Sequence, residues 1–405
     1  MRAAPPRVLY LAPAHFLLPT VGPTRNVLSL AGAMAAFAEV TVAFRRNLAE
    51  GLPEGVRTLE LDPGAPLPAD ARDDAATKGE GALAFAAYVR RLHAFLDRHL
   101  GSFDLVLEKT WLLSGTLSRR AIARGVPALA IENFAPDPEH YGRGLKRLRM
   151  QGALHLAGRA LRSLPRVVAE TEPLKRALLR AYRLDPARIA VVPLGIDREL
   201  FRPRPQSEAR GQLGVPQDET MLVYVGVIDA THDLGPVLEG LARLAPERRA
   251  GMRLHVVGEG RERERIEGFA RRHRLPVLFH GRVPHERVPL WIAASDLCLA
   301  PYDASVFAGG ELGYSTMKVP EYLAVGRPVA AGPSGRPAEL IRHGENGFLF
   351  DNRPELWQAF LGSLPPRERL AAMGEAAARV PLPGWQEVAR AYLDLASEAF
   401  ERRRS

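Results

Sequence analysis

The chain has 405 residues, too many for one ordinary domain and enough for two or three of roughly 150 residues each. Hydrophobic residues make up 46% and charged residues 25%, an ordinary soluble composition that supports real cores. The single cysteine, Cys298, excludes an internal disulfide and a cysteine-based metal site, while a net charge of +9, carried by arginine, favours anionic partners without choosing among them.

In chain order, Met1 to Arg7 leads into Val8-Leu9-Tyr10-Leu11, an apolar run too short for an export signal. No run of about 18 apolar residues follows anywhere. A cytoplasmic protein is the expectation. Val8–Ala12, Val40–Phe44, Leu105–Glu108, Ala128–Ile131, Val167–Glu170 and Ile189–Pro193 read as short buried strands. Between them Thr24–Phe37, Ala82–Leu100 and Ser118–Arg124 carry helical periodicity. That alternation predicts an α/β domain with a parallel, doubly wound sheet over residues 1–195. The Pro-, Asp- and Gly-rich stretch from Leu61 to Gly81 reads as a loop.

Gly144 to Leu164 is a basic helical segment with Leu145, Leu148 and Leu156 on one stripe. Two readings stand: a surface helix packing those leucines on its own domain, which is favoured, or peripheral contact with an anionic membrane through 143–162.

Phe201-Arg202-Pro203-Arg204-Pro205 reads as a hinge, after which a second α/β alternation fills 206–380. Its strands are Met221–Val227, Arg253–Val257, Val277–His280, Leu297–Ala300 and Pro328–Ala331, with helices at Leu234–Leu244, Arg261–Arg274, Val288–Ala294 and Lys318–Ala324. The last segment, 381–405, holds an amphipathic helix, Trp385 to Phe400, expected to brace the first domain.

Familiar catalytic patterns are missing: no Asp-x-Asp for a metal-diphosphate clamp, no P-loop, no nucleophile elbow, and no metal spacing among the eleven histidines. No aromatic-interleaved basic patch suggests nucleic acid. What remains are turns that hold anions. Gly22-Pro23-Thr24 opens a helix after the first strand, and Gly226 ends the first strand of the second half. Lys318 and Glu321 lie three apart on one helical face, a pair suited to a diphosphate and to vicinal ribose hydroxyls, or equally to a plain surface ion pair. Ile131-Glu132-Asn133-Phe134 ends a first-half strand, where polar groups point out of the sheet's carboxyl end.

Taken together and in order, several stretches give the chain a resemblance to the family-four retaining glycosyltransferases of the GT-B fold. They are Val191 to Asp197 with Phe201-Arg202-Pro203, His280-Gly281-Arg282-Val283-Pro284, and Ala294-Ser295-Asp296-Leu297 with Pro301-Tyr302. Lys318 to Val329 and Glu339-Leu340-Ile341 with Gly344-Glu345-Asn346-Gly347 complete the set.

The resemblance implies two Rossmann-like domains facing across a cleft, with a nucleotide sugar as co-substrate and neither cofactor nor metal. It implies Glu321 on the donor ribose, with Tyr322 beside it. The amides of Thr316, Met317 and Lys318, next to Ser315, would approach the diphosphate and sugar. Val283 would meet the base, Gly226 and His232 the diphosphate, and Gly22 the donor phosphate or the acceptor. Lys318, Glu132 and His140 are the candidates for catalytic groups, and Asn133 and His15 for acceptor contacts.

Where the family carries a cationic pair after the strand glycine, this chain has Val227 and His232; where it carries a second glutamate, this chain has Gly313. The resemblance implies a retaining, metal-independent transfer to a glycan, lipid or secondary-metabolite acceptor. The alternative is a degenerate GT-B scaffold that binds a nucleotide or a partner without turnover.

Overall fold

The computed structural model describes residues 4–17, 22–48, 52–65, 81–136, 144–306 and 310–401. Two compact units result. The first comprises Met1–Gly195, Gly313–Ser315 and Pro383–Ser405, and the second Ile196–Leu312 and Thr316–Leu382. Each is built on one parallel sheet, so both are Rossmann-like α/β units.

In the first unit the strands are β1 (Arg7–Leu17), β2 (Glu39–Asn47), β3 (Val56–Glu60), β4 (Leu105–Lys109), β5 (Ala128–Glu132), β6 (Val167–Ala169) and β7 (Ile189–Val191), in the order β3-β2-β1-β4-β5-β6-β7. Every pairing is parallel, from Arg7↔Glu39 on one side of β1 to Val8↔Leu105 on the other. The chain leaves β1 in one direction and returns at β4 to go the other way. The carboxyl ends of β1 and β4 thus flank the point where such sheets bind ligands.

One sheet face carries Leu9, Leu11 and Val106 against Tyr88, Leu92 and Leu96 of the helix Ala82–His99. The terminal helix, Trp385–Glu401, packs on the helix Gly22–Met34 and buries Val388, Tyr392 and Ala396. Gly195 lies against it so closely that a Cβ would sit 2.7 Å from the Cα of Trp385, which explains a glycine at that point of the chain.

The second unit contains β8 (Thr220–Val225), β9 (Met252–Val257), β10 (Val277–Gly281), β11 (Leu297–Ala300), β12 (Val329–Ala331) and β13 (Gly347–Leu349), in the order β10-β9-β8-β11-β12-β13. The reversal now falls between β8 and β11. Leu222, Tyr224, Leu254, Val256 and Leu297 form its core with Val237, Leu238, Leu241 and Trp357. Arg210, fully buried, gives Nη2 to Asp296 at 2.8 Å and its other nitrogens to the carbonyls of Ala294, Pro216, Gln217 and Glu219. Asp296 also accepts the amide of Met221 at 2.7 Å. The Ala-Ser-Asp-Leu stretch is therefore a structural clamp between β8 and β11; a buried charge survives there because every hydrogen-bonding atom has a partner.

The periodicity misses β3, β13 and the helices Glu172–Tyr182, Gln206–Leu213, Gly335–Leu340, Pro354–Gly362 and Arg367–Ala378. Of the expected loop, 66–80 lie outside the described residues, while Leu61, Asp62 and Ala65 are buried and Asp62 pairs with Arg45 and Arg91.

The favoured reading of the basic helix fails in part. Leu145–Ser163 packs Ala157, Ala160 and Leu161 inward, but Leu148 and Leu156 are 64% and 56% exposed. Its C-terminal half meets the domain core, with Leu154 packed beside it.

Candidate functional site

The donor-side candidates gather at the carboxyl ends of β8 and β11. The first strand stops at Val225 because Gly226 turns the backbone to φ +140°, a value few other residues adopt. The turn leaves a gap, and Lys318 fills it: a Cβ on Gly226 would stand 2.9 Å from the Lys318 Nζ. Nζ donates to the Tyr224 hydroxyl at 3.1 Å and lies 4.3 Å and 5.3 Å from the ring centres of Tyr224 and Tyr302.

Lys318 is 8% exposed, and burial brings its ammonium down to about 7, against the opposing pull of Asp229 and Glu321. An ammonium held among aromatic faces at a strand end is strongly attracted to an incoming anion.

The short turn Ala230–His232 supplies the neighbouring group. Asp229 caps it, its Oδ1 accepting the amides of Thr231 and His232, both at 3.0 Å. The same oxygen lies 2.8 Å from His232 Nδ1. Burial works to raise the Asp229 carboxyl, yet the hydrogen bonds from His232 and Thr231 outweigh it and hold the group well below the usual carboxylate range. Burial first, then the charge of Lys318, lowers His232 to about 4.

Glu321 is buried in the same short helix, Lys318–Ala324. Thr316 bonds the hydroxyl of Tyr302 through Oγ1. Tyr322 turns inward: its hydroxyl accepts the Val225 amide at 2.8 Å and donates to the Val225 carbonyl at 3.3 Å, so it ties the helix to β8. Val283 is half-buried in the turn after β10, and Met317 half-buried before the helix. Ser315 is half-buried and counted with the first unit.

In the first unit, the carboxyl ends of β1, β4, β5 and β6 bring together His15, Lys109, Glu132, Asn133 and Glu170, all buried except the half-buried Asn133. The Glu132 side chain is on the face of β5 shared with Glu108 of β4. Glu108 is fully engaged: it accepts Trp111 Nε1 at 2.7 Å and the amides of Gly115 and Ser118, and so caps the helix Thr116–Ala123.

Glu132 is 1% exposed, and its Oε1 has no partner among the described residues; the same holds for Asn133 Oδ1 and His15 Nδ1. Burial, then the neighbouring charge of Glu108, pushes Glu132 up to about 8. Burial and Lys109 bring His15 down to about 3, and burial takes Glu170 to about 7. Three buried polar atoms left without partners at one end of a parallel sheet are costly unless something binds there. Gly22 begins the helix Gly22–Met34. His140 lies outside the described residues.

Sequence reasoning missed Asp229, Tyr224, Tyr302, Lys109 and Glu170. A signal existed for some of them. Asp before Thr-His has the form of a turn cap, and Lys109 and Glu170 are charges closing apolar strand runs.

Two parallel-sheet units of this kind have the GT-B fold, and sequence comparison gives the class, a glycosyltransferase. Residues 22–200 match the model of Glycosyltransferase Family 4, and 219–365 that of Glycosyl transferases group 1. The chain belongs to this family of retaining glycosyltransferases, which move a sugar from a nucleotide donor.

Among its relatives, the D-inositol 3-phosphate glycosyltransferase of Thermomonospora curvata is 30% identical over 71% of this chain and 70% of its own length. That of Thermobispora bispora is 29% identical over 89% and 85%. Among solved structures, sucrose-phosphate synthase from Thermosynechococcus elongatus superposes with a TM-score of 0.76 at 20% identity, covering 98% of this chain and all of the other. Anabaena HepE in complex with UDP gives 0.72 at 18%, covering 97% of this chain and all of the other. At such identities these two speak to the fold.

Among the described residues no helix is long and apolar enough to cross a membrane.

Proposed function

We propose that the second unit holds the diphosphate of the donor against Lys318 and His232, and its ribose against Glu321, with the amides of Thr316 and Met317 and the turns at Gly226 and Val283 completing the site. The observation that carries this reading is the Lys318 ammonium lodged against Gly226, where a Cβ would stand 2.9 Å from Nζ. On the first unit, His15, Glu132 and Asn133 bind the acceptor hydroxyls with the polar atoms they leave without partners. At neutral pH Glu132 is largely protonated, so it donates a hydrogen bond to the acceptor as well as accepting one.

Relatives named for D-inositol 3-phosphate make a small hydroxylated phosphate the first acceptor to try, and the UDP-glucose complex of Anabaena HepE makes UDP-glucose the first donor.

A second surface has its own observation. The helix Leu145–Ser163 contains no acidic residue and presents Leu148 and Leu156 to solvent among Arg147, Arg149 and Arg159. Apolar anchors among cations suit an anionic lipid surface, which would place the enzyme beside a membrane-bound acceptor.

The test of the donor site is a thermal-shift screen against UDP, GDP, ADP, TDP and CDP sugars. A ligand that binds only the folded chain must stabilise it. One nucleotide is expected to raise the melting temperature, and Glu321→Ala to remove that rise while leaving the unliganded protein folded. A shift that survives Glu321→Ala would move the ribose elsewhere.

A further inference from the structure

We propose that Asp229 is a positioning residue of the donor site, holding His232 by its Nδ1 so that the imidazole becomes the second cation on the diphosphate beside Lys318. The inference rests on the donor-site reading above and adds to it how a histidine replaces a fixed charge.

The tautomer follows from the partners. His232 Nδ1 lies 2.8 Å from Asp229 Oδ1 and 3.0 Å from Thr231 Oγ1. The Thr231 hydroxyl gives its own proton to Asp229 Oδ1 at 2.8 Å, so its oxygen meets the ring as an acceptor. An ionised carboxylate can only accept. The ring proton therefore sits on Nδ1, and Nε2 is the basic nitrogen of the neutral ring.

The ring is also held before any ligand arrives. The amides of Thr231 and His232 bind the same carboxylate oxygen, the Asp303 amide donates to the Thr231 carbonyl at 3.2 Å, and the Tyr302 ring lies 5.2 Å away.

The charges around it decide when it ionises. Lys318 and Glu321 belong to the helix Lys318–Ala324 and Tyr224 to β8, while Tyr302 and Asp303 follow β11. Asp233, next along the chain, is paired with Arg265 at 2.9 Å. Without an anion, burial and the ammonium of Lys318 keep the imidazole neutral. A bound diphosphate reverses that balance, and His232 then takes one proton from solvent onto Nε2. The carboxylate behind it stabilises the resulting imidazolium, as a neutral amide there would not.

The test is calorimetric titration of the full chain at pH 6, in buffers of different ionisation enthalpy, with UDP-glucose and then GDP-glucose and ADP-glucose. The diphosphate of a nucleotide sugar has no titrating proton near that pH. Lys318, at about 7, is already mostly charged there, so proton uptake reports His232. Wild type is expected to take up about half a proton or more on binding.

Asp229→Asn keeps an acceptor for Nδ1–H but loses the charge. It should fold normally by circular dichroism, lose most of the uptake, and bind about tenfold more weakly at pH 6, with the gap closing or reversing by pH 9. His232→Lys should bind with no uptake, because its charge is already in place. Binding by wild type without uptake at pH 6, or an Asp229→Asn gap of equal size at pH 6 and pH 9, overturns the proposal and leaves Asp229 as a turn cap. If none of the three sugars binds wild type at any pH while another nucleotide sugar does, the titration is run with that one; if no nucleotide sugar binds, the donor-site reading falls and takes this inference with it.

Discussion

Replacing Lys318 by methionine should make the protein more stable and less able to bind its donor. The side chain keeps its apolar stem and loses an ammonium that burial disfavours. An ordinary lysine titrates at 10.5, whereas Lys318 is held at about 7. Each factor of ten in proton affinity is about 1.4 kcal/mol, so the folded chain gives up about 4 kcal/mol at pH 7 to keep this group. That figure is already net of whatever the faces of Tyr224 and Tyr302 return to the ammonium, so substitution should gain up to about 4 kcal/mol at pH 7.

The sign with pH is fixed. The folded value lies below the unfolded one, so the penalty is absent above pH 10.5, grows as pH falls towards 7, and is constant below. Melting curves of wild type and Lys318→Met between pH 6 and 10.5 should therefore diverge by several degrees at the acidic end and converge at the alkaline end. Donor binding should meanwhile fall roughly 10- to 150-fold, from the loss of one charged hydrogen bond worth about 1.5–3 kcal/mol. A variant that melts lower than wild type at pH 7, or whose gain does not change with pH, refutes the account of Lys318 as a strained cation kept for its ligand.

Three further outcomes are expected. Glu132→Gln should be stabilising by an amount that rises between pH 5 and pH 8, because a carboxylate lifted to about 8 by burial destabilises the fold above its ordinary 4.5; equal melting across that range would put the charge elsewhere. Gly226→Ala should cost about 1–3 kcal/mol from the backbone at φ +140° and should push Nζ aside, so nucleotide binding falls more than stability does; unchanged binding would detach the glycine from the lysine. Reversing Arg147 and Arg149 to glutamate should release the protein from vesicles containing anionic lipid in a sedimentation assay, with no change on neutral vesicles; equal retention on both would remove the lipid-surface reading.

Much of the fold was legible because its strands are short apolar runs that close on turn residues. Val288–Ala294, Leu297–Ala300 and Lys318–Ala324 have the same ends in sequence and in space. The sequence pattern lost β3, whose Val56-Arg57-Thr58-Leu59-Glu60 is an edge strand with only Val56 buried, and β13, whose Gly347-Phe348-Leu349 is too short to show a period. It also misjudged Leu148 and Leu156. A leucine stripe states that a helix has an apolar side and leaves open what covers it.

At the donor site, Lys318 and Glu321 could be picked out locally, since three residues of a helix place them on one face. What the sequence determined by itself was therefore order and type: alternating strands and helices, two α/β units, and a family resemblance that sequence comparison bears out. What only tertiary structure decided was which charges meet. Asp229 and His232 lie some ninety residues from Lys318, and Lys109 and Glu170 at the carboxyl ends of β4 and β6, with β5 between them. Their burial arises when parallel strands bring their carboxyl ends to one edge, a distance in space that no local pattern encodes.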